Sequence, residues 1–299
     1  MPRARANGID IEYEEFGDPK APPMLLVTGL GAQMISWDEG FCELLAARGF
    51  HVIRFDNRDS GLSTRLEAAG PPDMAAAISG DPQPAYMLDD MAADAVGLLD
   101  ALGIDAAHIV GASMGGFISQ LIAINHPGRV LSLTSIMSGP SRGEGVSPTP
   151  EGSALLFRPA PSNPEESIDM ALSGRRLLVG SGDPFDEAFE RAKATRAVKR
   201  AYYPVGTGRQ LLAILAAEPR LERLQGVRVP TLVIHGQDDI LVPIENGRMV
   251  AAAVPGARLL ELEGMGHDIP KRVWPQVIDA IVETARRAEV RQPDPAWPT

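Results

Sequence analysis

A serine flanked by small residues lies at the centre of residues 111–115, which read Gly-Ala-Ser-Met-Gly. The apolar residues 108–110 before it predict a strand, and residues 116–122 after it have the pattern of a helix. A strand, G-x-S-x-G and a helix in this order predict a tight turn that raises the serine hydroxyl above the edge of a sheet. The N-terminus of the helix would favour negative charge beside that hydroxyl. Ser113 is therefore a candidate nucleophile.

A serine hydroxyl is a weak nucleophile unless a neighbouring base takes its proton. His267 is the candidate base, because it lies in the glycine-rich segment 264–268 after the last predicted strand. Asp239 follows the preceding predicted strand, and it could accept the imidazole N–H and stabilise the imidazolium. Asp238 competes for this role, but the spacing from Gly236 favours Asp239.

Attack on a carbonyl would create an oxyanion, which needs two fixed N–H donors. We expect one donor to be the backbone amide of Met114, the residue after the candidate nucleophile. We expect the other to be the amide of Leu30, because the glycines on both sides of Leu30 allow the backbone to approach a substrate closely. The alternative interpretation of residues 28–31 is an ordinary glycine-rich exit from a strand.

The other residues of types that often act in catalysis are favoured for structural roles. Four histidines lie at the ends of predicted strands or helices, outside any glycine-rich loop: His51, His108, His126 and His235. Cys42, the single cysteine, lies in a predicted amphipathic helix, where a small buried residue is favoured over a reactive thiol. One cysteine also excludes an intrachain disulfide, which is typical of a protein in a reducing compartment.

Composition and charge argue against several classes of protein. The chain has 299 residues and a net charge of −11, which argues against nucleic acid or an anionic membrane as a partner. No run approaches the ~18 apolar residues of a membrane span, and the N-terminus does not have the pattern of a signal peptide. We therefore expect a cytoplasmic protein whose partner is a small-molecule substrate.

Strands and helices alternate on both sides of the serine motif, after a hairpin predicted at Asn7-Gly8. Strands are predicted at residues 24–28, 51–55, 107–110, 130–137, 231–235 and 258–262. Helices are predicted at residues 37–48, 86–102, 116–125, 244–253 and 271–288. This alternation predicts right-handed crossovers and a mostly parallel sheet. Because the candidate serine, acid and base each follow a strand, we expect them to meet at one edge of that sheet.

The alternation is interrupted at residues 139–226, which are rich in Pro, Gly and Ser and contain no strand of the buried type. Helices are predicted there at residues 165–179, 186–201 and 207–217. We predict that this block is an inserted helical cap over the edge of the sheet where ligands bind, on a core of residues 1–138 and 227–290. Residues 64–85 are predicted to form a long loop near the entrance, and residues 291–299 an irregular tail.

Together these motifs resemble the α/β-hydrolase superfamily, in particular its large esterase-like family. Residues 56–63 have the form D-x-R-D-[ST]-G-x-S, a variant of the family's loop after the fourth strand. This variant resembles the aclacinomycin methylesterase-like subgroup, whose enzymes hydrolyse a carbomethoxy ester on a polyketide. The resemblance implies an α/β-hydrolase fold with a mostly parallel eight-stranded sheet, helices on both faces and an inserted helical cap. It also implies a catalytic triad and an oxyanion hole on the residues named above, Ser113, Asp239, His267, Leu30 and Met114.

At two positions the sequence differs from other proteins of this fold. Thr28-Gly29 stands where the family often has His-Gly, whose histidine usually braces the oxyanion loop. Ser113 stands where the haloalkane dehalogenases and epoxide hydrolases of this fold use aspartate, which argues against those activities.

The leading hypothesis is a carboxylesterase that works through an acyl-enzyme on Ser113, with no metal or organic cofactor. Lactonases, carbon–carbon bond hydrolases and cofactor-free perhydrolases use the same residues, and a hydrolase-fold ligand-binding protein is a further alternative. Arginines of the predicted cap could hold an anionic substrate, although a solvated helix face is favoured for each: Arg175, Arg176, Arg191, Arg196, Arg200 and Arg209. Apolar residues there could equally line an acyl pocket or pack under the cap: Leu155, Leu156, Phe157, Phe185, Phe189, Tyr202, Tyr203, Leu211 and Leu212.

Overall fold

A sheet of eight strands runs through residues 2–290, the part of the chain that the computed structural model describes. Its strands are β1 (Arg3–Ala6), β2 (Ile9–Phe16), β3 (Pro23–Val27), β4 (His51–Phe55), β5 (Ala107–Ala112), β6 (Val130–Ile136), β7 (Thr231–Gly236) and β8 (Arg258–Leu262). Their order across the sheet is β1-β2-β4-β3-β5-β6-β7-β8. β2 is antiparallel to both of its neighbours and the other pairs are parallel, so the predicted sheet is confirmed. The tail predicted at residues 291–299 lies outside the described residues.

Helices connect the strands and cover both faces of the sheet. They are α1 (Glu39–Ala47), α2 (Met74–Ile78), α3 (Leu88–Ala101), α4 (Met114–Asn125), α5 (Pro150–Leu156), α6 (Pro164–Leu178), α7 (Glu187–Arg200), α8 (Pro204–Leu215), α9 (Leu221–Leu224), α10 (Ile244–Ala253) and α11 (Trp274–Val290). Buried side chains of α1 and α11 pack on one face, and those of α3, α4 and α10 pack on the other. Within residues 2–290, no helix combines the length and the apolar character needed to cross a membrane.

The central strand β3 is apolar along its whole length because helices bury it on both sides. Residues 24–27 of β3 are completely buried. Successive side chains of a strand point to opposite faces, so Leu25 and Val27 join the core with α3 and α4. Met24 and Leu26 join the core with α1 and α11. The apolar run that predicted a strand buried on both faces therefore lies in such a strand.

The hairpin predicted at the start of the chain is confirmed. β1 and β2 are antiparallel, with Ala6 opposite Ile9. Asn7 and Gly8 form the turn, with φ angles of 46° and 80°. Asn and Gly tolerate positive φ angles at low cost, which is why this pair favours a two-residue hairpin turn.

Between β6 and β7 the described chain forms the helices α5 to α9 and no strand. We call residues 139–226 the cap segment; its boundaries as a separate unit stay a prediction. The predicted helices occur as α6, α7 and α8. Helix α8 begins earlier than predicted, at Pro204, because proline at the first position of a helix loses no hydrogen bond.

The prediction of a continuous loop at residues 64–85 is wrong in its middle, where α2 forms. The Asp73 side chain caps this helix by accepting a hydrogen bond from Ala76 N at 2.9 Å. Residues 75–77 are all alanine, the residue with the highest helix propensity, and this run outweighs the prolines on both sides.

Candidate active site

Ser113 lies at a sharp turn between β5 and α4. Its φ of 57° and ψ of −122° form a backbone conformation that is strained for a residue with a side chain. A Cβ atom at position 111 would lie 2.1 Å from Gly115 O, and one at position 115 would lie 2.1 Å from Val27 O. The turn therefore requires glycine at both positions, which is the physical origin of the G-x-S-x-G motif.

The structure brings Ser113, His267 and Asp239 together. His267 Nε2 lies 2.9 Å from Ser113 Oγ, and His267 Nδ1 lies 2.7 Å from Asp239 Oδ2. With the proton assigned to Nδ1, the imidazole donates to the carboxylate and leaves Nε2 free to accept the serine proton. The three residues follow β5, β8 and β7, so they meet at the carboxyl edge of the parallel strands, as we expected.

Backbone amides hold the Asp239 carboxylate in position. Its Oδ1 accepts hydrogen bonds from Leu241 N at 2.9 Å and Val242 N at 2.8 Å. Burial by itself raises the pKa of Asp239, but the electrostatic interaction with His267, the contacts with the His235 and His267 rings and the hydrogen bond from the Val242 amide outweigh it. The pKa of Asp239 therefore lies well below its usual range, and the carboxylate stays charged beside the imidazole.

Asp238, the competing candidate, does not face the histidine. Its Oδ2 accepts hydrogen bonds from Ser181 N at 2.8 Å and Ser181 Oγ at 2.6 Å, which hold its pKa below the ordinary value. The two neighbouring aspartates thus bind different parts of the protein. Asp238 binds the cap segment, and Asp239 contacts His267.

The two amides expected to bind an oxyanion lie beside Ser113. Met114 begins α4 directly after the serine. The β3 loop, residues 28–32, approaches from the other side, so that a Cβ atom on Gly29 would lie 3.2 Å from the Cβ of Ser113. Within residues 2–290, neither the Leu30 N–H nor the Met114 N–H donates to a protein acceptor. Both donors are thus available to a substrate oxygen.

Asn57 braces the β3 loop by binding Thr28, the residue at the position where the family often has a histidine. Asn57 Nδ2 donates to Thr28 O and to Thr28 Oγ1, both at 3.1 Å. Ser60 Oγ donates to Ala32 O at 2.7 Å. Both donors belong to residues 56–63, the D-x-R-D-[ST]-G-x-S loop, so this motif holds the two ends of the β3 loop.

His235, which we favoured for a structural role, supports the candidate site from the end of β7. It is completely buried at the end of β7, where its Nε2 donates to Val242 O at 2.7 Å. The same nitrogen lies 3.6 Å from Asp239 Oδ2. His235 therefore supports the loop that carries Asp239. Nothing in the local sequence predicts this contact, because His235 lies within an apolar strand.

A family model described as the alpha/beta hydrolase fold matches residues 22–270. The match covers more than half of the chain and includes Ser113, Asp239 and His267. The chain belongs to the α/β-hydrolase family. The fold and the family implied by the sequence motifs are therefore confirmed.

Similar proteins include two methylesterases. This α/β-hydrolase is 34% identical over 306 residues to rhodomycin D methylesterase DauP of Streptomyces sp. strain C5, and the alignment covers 94% of this chain and 97% of that protein. The identity to rhodomycin D methylesterase DnrP of Streptomyces peucetius is 34% over 303 residues, with the same coverage. These two relatives confirm the resemblance to the aclacinomycin methylesterase-like subgroup and support a carboxylesterase-type hydrolase. A putative carbamate hydrolase, RutD of Azorhizobium caulinodans, is 31% identical over 272 residues and covers 89% of this chain and 91% of its own.

Solved structures of other hydrolases share this fold. A meta-cleavage product hydrolase from Pseudomonas fluorescens IP01 superimposes with a TM-score of 0.76 at 19% identity, covering 96% of this chain and 98% of its own. The enol-lactonase from Burkholderia xenovorans LB400 superimposes with a TM-score of 0.72 at 23% identity, covering 97% and 100%. At these identities the superpositions establish the common fold alone.

Five of the six candidate arginines of the cap segment fall into two groups. Arg176, Arg191 and Arg196 form exposed ion pairs, for example Arg176 with Glu187 at 2.7 Å, as expected for solvated helix faces. The expectation is wrong for Arg200 and Arg209, whose side chains are nearly or fully buried. They form ion pairs with Asp56 at 2.8 Å and with Asp59 at 2.7 Å. Sequence periodicity cannot reveal these contacts because the two partners lie far apart along the chain.

Arg175 reaches the loop that carries His267. Its Nη1 lies 3.5 Å from His267 O, and its Nη2 lies 3.5 Å from Asp268 Oδ2. Its Nε lies 3.3 Å from Glu190 Oε2, on the neighbouring helix α7. Burial raises the pKa of Asp268 although Arg175 opposes this effect. The arginine thus joins two helices of the cap segment to the His267 loop.

A cavity of about 450 Å³ lies beside that loop, with Asp268, Ile269 and Pro270 among its lining residues. Its aromatic walls come from both the core and the cap segment: Trp37, Phe41, Phe185, Phe189 and Trp274. Neither Ser113 nor His267 lines it. Of the apolar residues considered as pocket or packing residues, Phe185 and Phe189 line this cavity, whereas Leu211 and Leu212 are buried in packing.

Proposed function

We propose that this α/β-hydrolase cleaves carboxylic esters through an acyl-enzyme intermediate on Ser113. The observation that carries the proposal is the continuous hydrogen-bonded chain from Ser113 Oγ through His267 to Asp239, with distances of 2.9 and 2.7 Å. It lies at the carboxyl edge of a mostly parallel sheet, next to the Leu30 and Met114 amides, which donate to no protein acceptor within residues 2–290. This is the arrangement that acyl transfer requires.

The mechanism follows from these contacts. Ser113 Oγ attacks the ester carbonyl while its proton passes to His267 Nε2, and the tetrahedral oxyanion accepts hydrogen bonds from the Leu30 and Met114 amides. As the intermediate collapses, His267 gives the proton to the departing alkoxide, which leaves as an alcohol. A water molecule then attacks the acyl-enzyme and gives one proton to the same imidazole. As this second tetrahedral intermediate collapses, His267 returns the proton to Ser113 Oγ, and the carboxylic acid and free Ser113 are released. Asp239 stabilises the imidazolium in both halves of the reaction.

The similarity to two rhodomycin D methylesterases supports methyl esters of large ring systems as the substrate class. We propose that the cap segment, residues 139–226, covers the acid portion of such a substrate. A carbamate is the second candidate, since the similarity to the putative carbamate hydrolase RutD extends over 89% of the chain. Lactonase, carbon–carbon bond hydrolase, perhydrolase and ligand-binding roles remain the alternatives that the same residues allow.

Hydrolysis of a p-nitrophenyl ester series from acetate to decanoate tests the proposal. We expect saturable turnover by the wild type and a loss of about 10⁴-fold or more in kcat for Ser113→Ala. Ser138→Ala is a control, because it makes the same change at a fully buried serine whose Oγ has no hydrogen-bond partner within residues 2–290. Equal activity of Ser113→Ala and Ser138→Ala would contradict the proposal. Methyl esters of aromatic acids and alkyl carbamates of the matching aromatic amines then distinguish the two candidate substrate classes.

A further inference from the structure

The tip of the β3 loop is held by a side chain of the cap segment. Gly31 has a φ of 65°, and its N–H donates to Gln210 Oε1 at 2.8 Å. Gln210 belongs to α8 and is completely buried. Its Nε2 donates to Arg58 O at 2.8 Å. One acceptor and one donor of the same amide are thus engaged, which fixes the orientation of the side chain.

This hydrogen bond acts on the backbone next to the proposed oxyanion donor. The Gly31 N–H belongs to the peptide unit that directly follows Leu30, so only the φ and ψ angles of Leu30 separate its direction from that of the Leu30 N–H. The two ends of the β3 loop, Thr28 and Ala32, are held by Asn57 and Ser60 of the core. The tip is held by α8.

Helix α8 also leaves the tip little room. A Cβ atom on Gly31 would lie 2.8 Å from Thr207 Oγ1, one turn before Gln210. The helix is anchored at this place by the buried ion pair of Arg209 with Asp59. The position of the loop tip therefore depends on how α8 lies against the core.

We propose that Gln210 is a positioning residue that couples the seating of the cap segment to the oxyanion donor at Leu30. The inference rests on the proposed esterase function. When α8 is in place, Gln210 holds the Gly31 N–H, and the Leu30 N–H is directed toward the position of the oxyanion. When α8 moves away, the Gly31 N–H loses its acceptor and the positive-φ turn can relax. Full stabilisation of the transition state therefore requires α8 to be packed against the core.

Gln210→Met tests this coupling, because methionine fills a similar volume without an acceptor or a donor. Direct removal of an oxyanion donor costs about 100- to 1,000-fold in kcat. We expect this indirect change to cost about 10- to 100-fold in kcat, with KM almost unchanged. Phenylboronic acid, which forms a tetrahedral adduct with an active serine, should bind more weakly by a similar factor. Ser173→Ala is the control, since it removes a hydrogen bond from Arg158 Nη1 inside the cap segment and should alter neither quantity.

Gln210→Glu provides a second readout that a purely structural role would not move. A neutral carboxylic acid has one acceptor and one O–H donor and can replace the amide, whereas a carboxylate would place negative charge against Arg58 O. The ratio of variant kcat to wild-type kcat should therefore rise as the pH falls and the new side chain becomes protonated.

The outcomes separate the inference from the proposed function. If Ser113→Ala is inactive but Gln210→Met retains wild-type kcat and boronic acid affinity, the inference is wrong and the proposed function stands. The inference is also wrong if KM changes while kcat does not, or if the Gln210→Glu ratio is independent of pH. If the wild type neither hydrolyses esters nor binds phenylboronic acid through Ser113, the proposed function fails and the inference fails with it.

Discussion

Gly247 of α10 lies against the imidazole of His235, so that a Cβ atom at position 247 would be 2.3 Å from His235 Nδ1. The other ring nitrogen of His235 donates to Val242 O, and the Val242 amide donates to Asp239 Oδ1. The helix is thereby connected to the carboxylate at the proposed active site without touching it. A glycine outside every motif is sterically required for this arrangement.

Gly247→Ala should therefore reduce both stability and activity. The added methyl group must displace the His235 ring, and overpacking of this kind costs about 1–3 kcal/mol in free energy of unfolding. We expect kcat for ester hydrolysis to fall because Val242 and the Asp239 carboxylate move with the ring. Urea unfolding and ester kinetics measure the two effects. Gly128→Ala is the control, since nothing lies within 4 Å of a Cβ atom there; equal behaviour of the two variants would refute the prediction.

Asp239→Asn should nearly abolish turnover while leaving the site intact in shape. The asparagine amide would donate to His267 Nδ1 and stabilise the wrong tautomer, so that Nε2 could no longer accept the serine proton. A loss of about 10⁴-fold in kcat is expected. Asp238→Asn is a matched control, because it weakens the bonds to Ser181 and leaves the His267 contact in place. A similar kcat for both variants would assign the orienting acid to another residue.

His108 should make the folded state sensitive to mild acid. It is buried between strands, its Nδ1 lies 2.9 Å from Ser132 Oγ, and burial lowers its pKa from 6.5 to about 4. The unfolded chain therefore binds a proton at a higher pH than the folded chain does. The stability that neutral His108 provides is present above about pH 6.5 and is lost as the pH falls toward about 4.

The measurement is urea unfolding of the wild type and of His108→Gln at about pH 7 and pH 5. Between these two pH values the wild type should lose about 2 kcal/mol more free energy of unfolding than the variant. His126→Gln controls for the loss of a histidine elsewhere and should follow the wild type. A pH dependence shared by the wild type and His108→Gln would show that His108 is not its source.

Arg209→Met should cost far more stability than the same change at an exposed ion pair. Within residues 2–290 it would leave the buried Asp59 carboxylate with Tyr86 OH, at 2.9 Å from Oδ2, and the Leu66 amide, at 2.8 Å from Oδ1, as its hydrogen-bond donors. Removal of one partner of a buried pair costs about 3–5 kcal/mol, whereas Arg176→Met, which breaks an exposed pair, should cost less than about 1 kcal/mol.

Chemical unfolding of both variants measures these losses. The double variant Arg209→Met, Asp59→Asn should recover part of the loss, because it removes the unpaired charge. Comparable costs for Arg209→Met and Arg176→Met would mean that the buried pair does not anchor α8.

Local sequence patterns were sufficient to select the three side chains that meet at the sheet edge. Ser113, Asp239 and His267 each come after an apolar strand, and the carboxyl ends of parallel strands lie at one edge of the sheet. The G-x-S-x-G spacing has a steric cause within five residues, so it is visible in the sequence. Asp239 could be preferred over Asp238 because the two carboxylates lie at different distances from the end of the strand.

The supporting contacts could not be predicted in this way. Gln210 binds Gly31, which is 179 residues away in the sequence, and Arg209 binds Asp59, which is 150 residues away. Such pairs form only when the cap segment is placed on the core, and neither partner has an unusual local pattern. A buried arginine on a helix such as α8 has the same spacing as a solvated one, which is why the expectation for Arg200 and Arg209 was wrong.

The end of α6 and the His267 loop fit together backbone against backbone. His267 N donates to Leu178 O at 2.8 Å, and a Cβ atom on Gly266 would lie 2.1 Å from the same oxygen. A Cβ atom on Gly180 would lie 2.2 Å from Gly264 O. Anyone who exchanges caps between hydrolases to change substrate range must therefore transplant residues 178–182 and 264–266 as one unit. A chimera that joins a foreign cap at residues 139 and 226 alone would press side chains into the loop of the proposed base.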